Sequence, residues 1–155
     1  MTKDVTPTDS RRIAYARHGE ERTAAGELTV EHLERVAASV PDEARTVAYL
    51  HDVLEHTDAS TADLEAEGVT PVELQAVQLL TRHPNESFEA HTLRIAHAKG
   101  PEGRLARTVK LADIDDHLSR GGSIASHRPY GWARRHVAAC RARFDSPPAQ
   151  LTSVA

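Results

Sequence analysis

Residues 49–57 read YLHDVLEHT. His51 follows Val47 by four residues and Ala48 by three, so on a helix the three side chains share one face. Asp52 is adjacent and Glu55 lies one turn beyond. Burying an imidazole and an acid on an apolar face is costly unless they pair with each other or hold a metal. The pair also offers one nitrogen and one oxygen ligand from a single turn. A metal-free His–Asp hydrogen bond would satisfy the same residues.

The next segment outward is VKLADIDDHL, residues 109–118. Leu105, Val109 and Ala112 form a buried stripe, which Asp113 and Asp116 extend at i+4 and i+7 from Val109. Leu111, Ile114 and Leu118 form a second stripe, so this helix is apolar around much of its circumference and predicted to be central. A carboxylate on such a helix needs a partner, either an arginine or an ion. A third segment, GELTVEH at residues 26–32, brings His32 beside Leu33 and Val36. Taken singly, it reads as a satisfied core histidine.

The rest of the chain is also helical in pattern. Helices are predicted over about Ser10–Thr23, from a Thr29 cap, from Pro41-Asp42 through YLHDVLEHT to a loop at Thr57–Ser60, and from Ser60, with Asp63 three residues on as in a capping box, to Gly68. Thr70-Pro71-Val72-Glu73 combines a Thr cap, Pro at the first helical position and Glu at the third. Further helices are predicted over about Ser87–Ala98, Glu102–Arg120 and Tyr130–Arg143, with a loop over residues 121–129. No stretch alternates with period two for long enough to require a strand. The expected architecture is all-α, seven or eight helices in one domain over residues 10–143, with disordered ends over 1–9 and 144–155.

Composition agrees. The chain has 155 residues, 39% apolar and only 4% aromatic, so the core must come mostly from Ala, Leu, Val and Ile. Net charge is −4 with histidines neutral, and no Lys/Arg-rich stretch marks a site for duplex nucleic acid. There is no apolar run of about 18 residues to span a membrane, and the start MTKDVTPTDS lacks a secretory apolar stretch. A single cysteine, Cys140, excludes an intramolecular disulfide and fits a cytoplasmic location. A homo-oligomer is compatible with the sequence.

A His, a His-Asp pair about twenty residues on and an Asp some sixty residues later, all on predicted helices, is the arrangement of the HD superfamily of metal-dependent phosphohydrolases. The chain resembles the hydrolase domain of RelA/SpoT enzymes, and more closely their small stand-alone relatives. The matching segments are Gly19-Glu20-Glu21-Arg22, GELTVEH, YLHDVLEHT, SFEAHTLRIAHA (residues 87–98) and VKLADIDDHL, within about residues 12–142. That resemblance implies a divalent ion, most often Mn2+, held by His32, His51, Asp52 and Asp113. It implies water activation by Glu55 and a nucleotide substrate, guanosine tetraphosphate (ppGpp) by default, losing its 3′-pyrophosphate.

The same resemblance makes Arg22 a nucleotide contact. Lys110 and Arg107 are phosphate candidates, and Tyr130 is a residue that could close over a ligand. The sequence departs from the family at three places. Glu55-His56 stands where the family has Glu-Asp, leaving His56 as a stand-in base or phosphate contact. Asp116-His117 stands where the family has Asp-Asn or His-Asn, whose Asn touches the nucleotide, and leaves Asp116 and His117 as the substrate-contact candidates there. Leu28-Thr29 replaces a Pro-Tyr in the pocket wall. These departures leave open an HD hydrolase of another nucleotide phosphate, or a non-catalytic metal- or nucleotide-binding module. A helical adaptor with a satisfied polar core would need all four ligands to coincide by chance.

Overall fold

A computed structural model of the chain describes residues 3–121 and 124–146. These residues form α-helices and no named strand; a lone antiparallel bridge joins Arg22 and Leu28. The helices are α1 Pro7–His18, α2 Thr29–Ala38, α3 Arg45–Leu50, α4 Val53–His56, α5 Thr61–Ala66, α6 Pro71–Leu80, α7 Phe88–His97, α8 Gly100–Ser119 and α9 Ile124–Asp145. A short 3-10 turn, Asp42–Ala44, leads into α3.

Local chemistry sets several starts. Thr70 and Glu73 cap α6 reciprocally, with Pro71 at its first position, as the sequence predicts. Ser60 and Asp63 do the same for α5. Thr6 and Asp9 form a third such box, which starts α1 at Pro7 rather than Ser10. The expectation of an unstructured 1–9 therefore fails from Val5 onward. Val5 is buried, and its N–H donates to Gly68 O at 2.9 Å. Gly68 has a positive φ of 96°, and any Cβ there would lie 2.5 Å from Lys3 O, so this contact requires glycine.

Four other boundaries differ from expectation. Helix α1 ends at His18, before Gly19, rather than at Thr23. Thr29 is the first residue of α2, not its cap. The helix predicted through YLHDVLEHT is broken at His51-Asp52, between α3 and α4. Helix α9 begins at Ile124 and runs through Pro129, where a loop was expected over 121–129. Of the expected tail, residues 147–155 lie outside the described residues, as do Gly122 and Ser123 in that loop.

Helix α8 is the central element, in contact with α2, α3, α6, α7 and α9. Its Val109 and Ile114 are fully buried against a core that includes Leu33, Val47, Leu50 and Val77. Near its start, Gly103 lies so close to α7 that a Cβ would sit 2.3 Å from Ala98 O. That approach locks α8 to the end of α7 and fixes which residues of the two helices share each end of the bundle.

Candidate metal centre

The break at His51-Asp52 positions the centre. His51 and Asp52 form the junction between α3 and α4, both with right-handed helical backbone angles. His51 is 4% exposed and donates from Nδ1 to Ala48 O at 2.7 Å. A carbonyl can only accept, so Nδ1 holds the proton and Nε2 is left for the site. That buried Nε2 has no hydrogen-bond partner. The nearest carboxylate oxygens, on Asp52 and Asp113, lie 3.5 and 3.8 Å away.

His32, on α2, is fixed in the same way from another direction. Its Nδ1 donates to Asp116 Oδ2 at 2.7 Å, which aims Nε2 at Asp113 Oδ1, 3.2 Å away, and at Asp52 Oδ2, 4.0 Å away. Arg35 grips Asp116 with two nitrogens, at 2.7 and 2.9 Å, and also reaches Glu27 at 2.7 Å. Asp116 is thus a brace behind His32 and not a wall of the pocket, which corrects its expected place as a substrate contact.

One donor atom each of His32, His51 and Asp52 lies within 4.8 Å of the other two, and the same holds for His32, Asp113 and His117. Across the four candidate ligands the imidazole–carboxylate separations run from 3.2 to 4.0 Å. An octahedral ion with ligands at about 2.1 Å holds neighbouring donors about 3 Å apart and opposite ones about 4.2 Å apart. The measured imidazole–carboxylate separations fall in that range, and the partnerless His51 Nε2 is the atom that most needs an ion.

Charge balance points the same way. Burial opposes protonation of His51, yet Asp52 and Asp113 outweigh it and lift its pKa to about 9. Burial also pushes the Asp113 carboxyl up, but the Lys110 ammonium, His117, His32 and His51 hold it well below the usual carboxylate range. The cluster is thus a strong attractor of positive charge, whether protons or a cation.

Around this point is a cavity of about 310 Å³. Lys110 reaches Asp113 Oδ2 at 2.9 Å. His117 Nε2 lies 3.3 Å from Asp113 Oδ1, and its ring stacks on Tyr130 with centroids 4.8 Å apart. Phe88 meets Tyr130 edge-on, forming an aromatic wall. Arg22 borders the cavity, although its Nη1 donates to Gly26 O within its own loop. Glu55 also borders it: one carboxylate oxygen accepts from the Arg82 backbone N–H at 2.7 Å, and the other lies 3.1 Å from His56 Nε2. Burial raises the Glu55 carboxyl, while His56 and the Arg82 N–H bring it below its ordinary value. The hydrogen bond with Glu55 pushes the His56 imidazole up.

Arg107 does not join the site. It is buried six residues before Asp113 on α8, with Nη2 2.6 Å from Asp145 and Nη1 2.5 Å from Ala98 O. The sequence reading missed Arg35, Arg82 and Phe88, and passed over His91, a buried cavity-lining residue held by Glu86 and Arg94. The quoted SFEAHTLRIAHA segment carried the signal for Phe88 and His91. A more open groove of about 770 Å³, lined by residues such as Leu54, Gln78 and Glu102, lacks this set of imidazoles and carboxylates.

No protein-family model matches the sequence, and no curated protein matches it. Among solved structures, the chain is similar to one described as a metazoan ortholog of SpoT that hydrolyses ppGpp and plays a role in starvation responses. The TM-score is 0.67 at 23% identity, over 90% of this chain and 87% of that one. The two share a fold, an all-α bundle of the kind the HD arrangement implied. None of the described helices is long and apolar enough to cross a membrane.

Proposed function

We propose that this chain is a divalent-metal-dependent phosphohydrolase acting on a nucleotide, with ppGpp and loss of its 3′-pyrophosphate as the default reaction. The observation that carries this reading is the pair of locked imidazoles. His32 and His51 each spend Nδ1 on a protein acceptor and turn Nε2 toward Asp52 and Asp113. The ligands are His32, His51, Asp52 and Asp113. Two imidazoles and two carboxylates suit a borderline-to-hard ion, with Mn2+ the first candidate. When bound, such an ion supplies Lewis acidity toward phosphoryl oxygens and toward water. The solved protein of the same fold hydrolyses ppGpp, which supports the substrate class.

The remaining roles belong to the chain's own groups. Asp116, held by Arg35, orients His32. Lys110 and His117 border both Asp113 and the cavity, where they neutralise phosphate charge. Tyr130, stacked on His117 and next to Phe88, gives a base or ribose a flat surface. Arg22 meets the nucleotide once its guanidinium turns from Gly26 O. Glu55 accepts the proton of the attacking water, and His56, with its raised pKa, keeps the opposite oxygen hydrogen-bonded.

One observation favours a second reading, a metal- and nucleotide-binding module without turnover. Both Glu55 oxygens are already engaged, by Arg82 N–H and His56. The test is a panel of ppGpp, GTP, NADPH and 5′-monophosphates offered to Mn2+-loaded protein. Pyrophosphate released from ppGpp is the expected result. Glu55→Gln should retain the metal and slow turnover by about 10²–10⁴. Metal and nucleotide bound with no product from any member would select the module.

A further inference from the structure

A second group of donors lies outside this cavity, where the end of α7 meets α9. His97 is the last residue of α7, and His136 and Cys140 are four apart on α9, so these two project from one face. One ligand-capable atom from each of the three lies within 4.8 Å of the other two. His97 Nε2 and His136 Nε2 are 3.4 Å apart. For a tetrahedral ion with nitrogen ligands at 2.0–2.1 Å, the nitrogens sit about 3.3 Å apart. The observed spacing matches that edge, and it is long for a hydrogen bond between two imidazoles.

The surroundings also suit a site. Cys140 is 8% exposed and belongs to a small apolar cluster with Ala96, Leu111 and Val137, which shields its sulfur on the inner side. Trp132 stacks on His136 with centroids 5.5 Å apart, and Phe144 lies edge-on to His97, so both rings have fixed neighbours. His97 and His136 remain open enough for an ion and a water to reach. Lys99 lies over the far ring, with Nζ 3.8 Å from the Phe144 centroid, so a cation here needs the negative charge of a thiolate.

We propose that His97, His136 and Cys140 form a second metal site, distinct from the His/Asp centre, that takes a borderline-soft divalent ion of the zinc class with a water as fourth ligand. One imidazole nitrogen comes from each histidine. Cys140 Sγ binds as thiolate, its proton passing to solvent as the metal–sulfur bond forms. The ion cross-links α7 to α9. Those helices carry Phe88 and Tyr130 to the cavity, so the site is a structural staple behind the aromatic wall. Sulfur distinguishes it from the oxygen- and nitrogen-only centre, which favours harder ions.

Co2+ titration of the folded chain reads the two sites separately. Thiolate-to-cobalt charge transfer absorbs in the near ultraviolet and can arise only from Cys140, the sole cysteine. The expected result is a band that accounts for one of the two equivalents of Co2+ bound, with quenching of Trp132, the sole tryptophan. Cys140→Ser should abolish the band and remove one equivalent. His136→Ala and the exposed His97→Ala should each weaken it by more than about tenfold, since loss even of a residue that only supports a ligand costs 10–100-fold. Asp113→Asn should leave the band intact, so failure at the His/Asp centre does not affect the outcome. Absence of the band in the wild type, or a band unchanged in both histidine variants, would overturn the proposal.

Discussion

Helix α8 buries charge at two places six residues apart, and the two are built differently. At one, Arg107 is 1% exposed and closed by protein alone: two contacts to Asp145, and carbonyls at the end of α7. At the other, six residues along, Asp113 is surrounded by Lys110, His32, His51 and His117, beside a cavity and a buried His51 Nε2 with no partner. A buried charge with every group matched is a joint between helices. A buried cluster that leaves a donor unmatched and faces open space is a place for something else to bind.

The largest effect should come from the closed place. Arg107→Met strands the Asp145 carboxylate and should destabilise the fold by about 3–5 kcal/mol, read by denaturant unfolding. Pairing it with Asp145→Leu should restore most of the loss. Neither variant should change metal stoichiometry at the His/Asp centre. If the single variant were neutral, Arg107 would be a surface group in effect and the contrast would collapse.

The open place should respond to pH in a way that depends on metal. In the metal-free fold, burial disfavours the charged His51 but Asp52 and Asp113 hold its pKa at about 9, against an ordinary value of 6.5. Its contribution to stability is therefore fully present below about pH 6.5 and lost as pH rises through about 9. A bound cation takes the place of that proton. The gap in unfolding temperature between Mn2+-loaded and chelator-treated protein should widen from pH 6.5 to 9. A constant gap would show that metal and the His51 proton do not compete.

A smaller effect probes the brace. Asp116→Asn keeps the shape beside His32 but weakens its hold on Nδ1, and should lower Mn2+ affinity by about 10–100-fold at unchanged stoichiometry. Unchanged affinity would make the Arg35–Asp116 pair a joint like that of Arg107.

How much was legible followed from how local each signal was. The reciprocal caps of α5 and α6 are four-residue patterns and read correctly. The helical stripes identified α8 as central, and the resemblance to the HD arrangement named the His and Asp residues that lie together in the fold. The break at His51-Asp52 carried no Gly or Pro to announce it. Asp116 and Arg107 were misplaced because closeness to Asp113 along α8 does not say which group each side chain meets. Their partners, Arg35 and Asp145, are 81 and 38 residues away in sequence. The expected loop over residues 121–129 fails from Ile124 onward, with Pro129 inside α9.

The central claim is that the locked imidazoles hold a catalytic ion, and Mn2+ binding by equilibrium dialysis tests it most directly. Wild-type protein should bind one equivalent that His51→Gln loses, while Cys140→Ser retains it. Equal binding by wild type and His51→Gln would contradict the account.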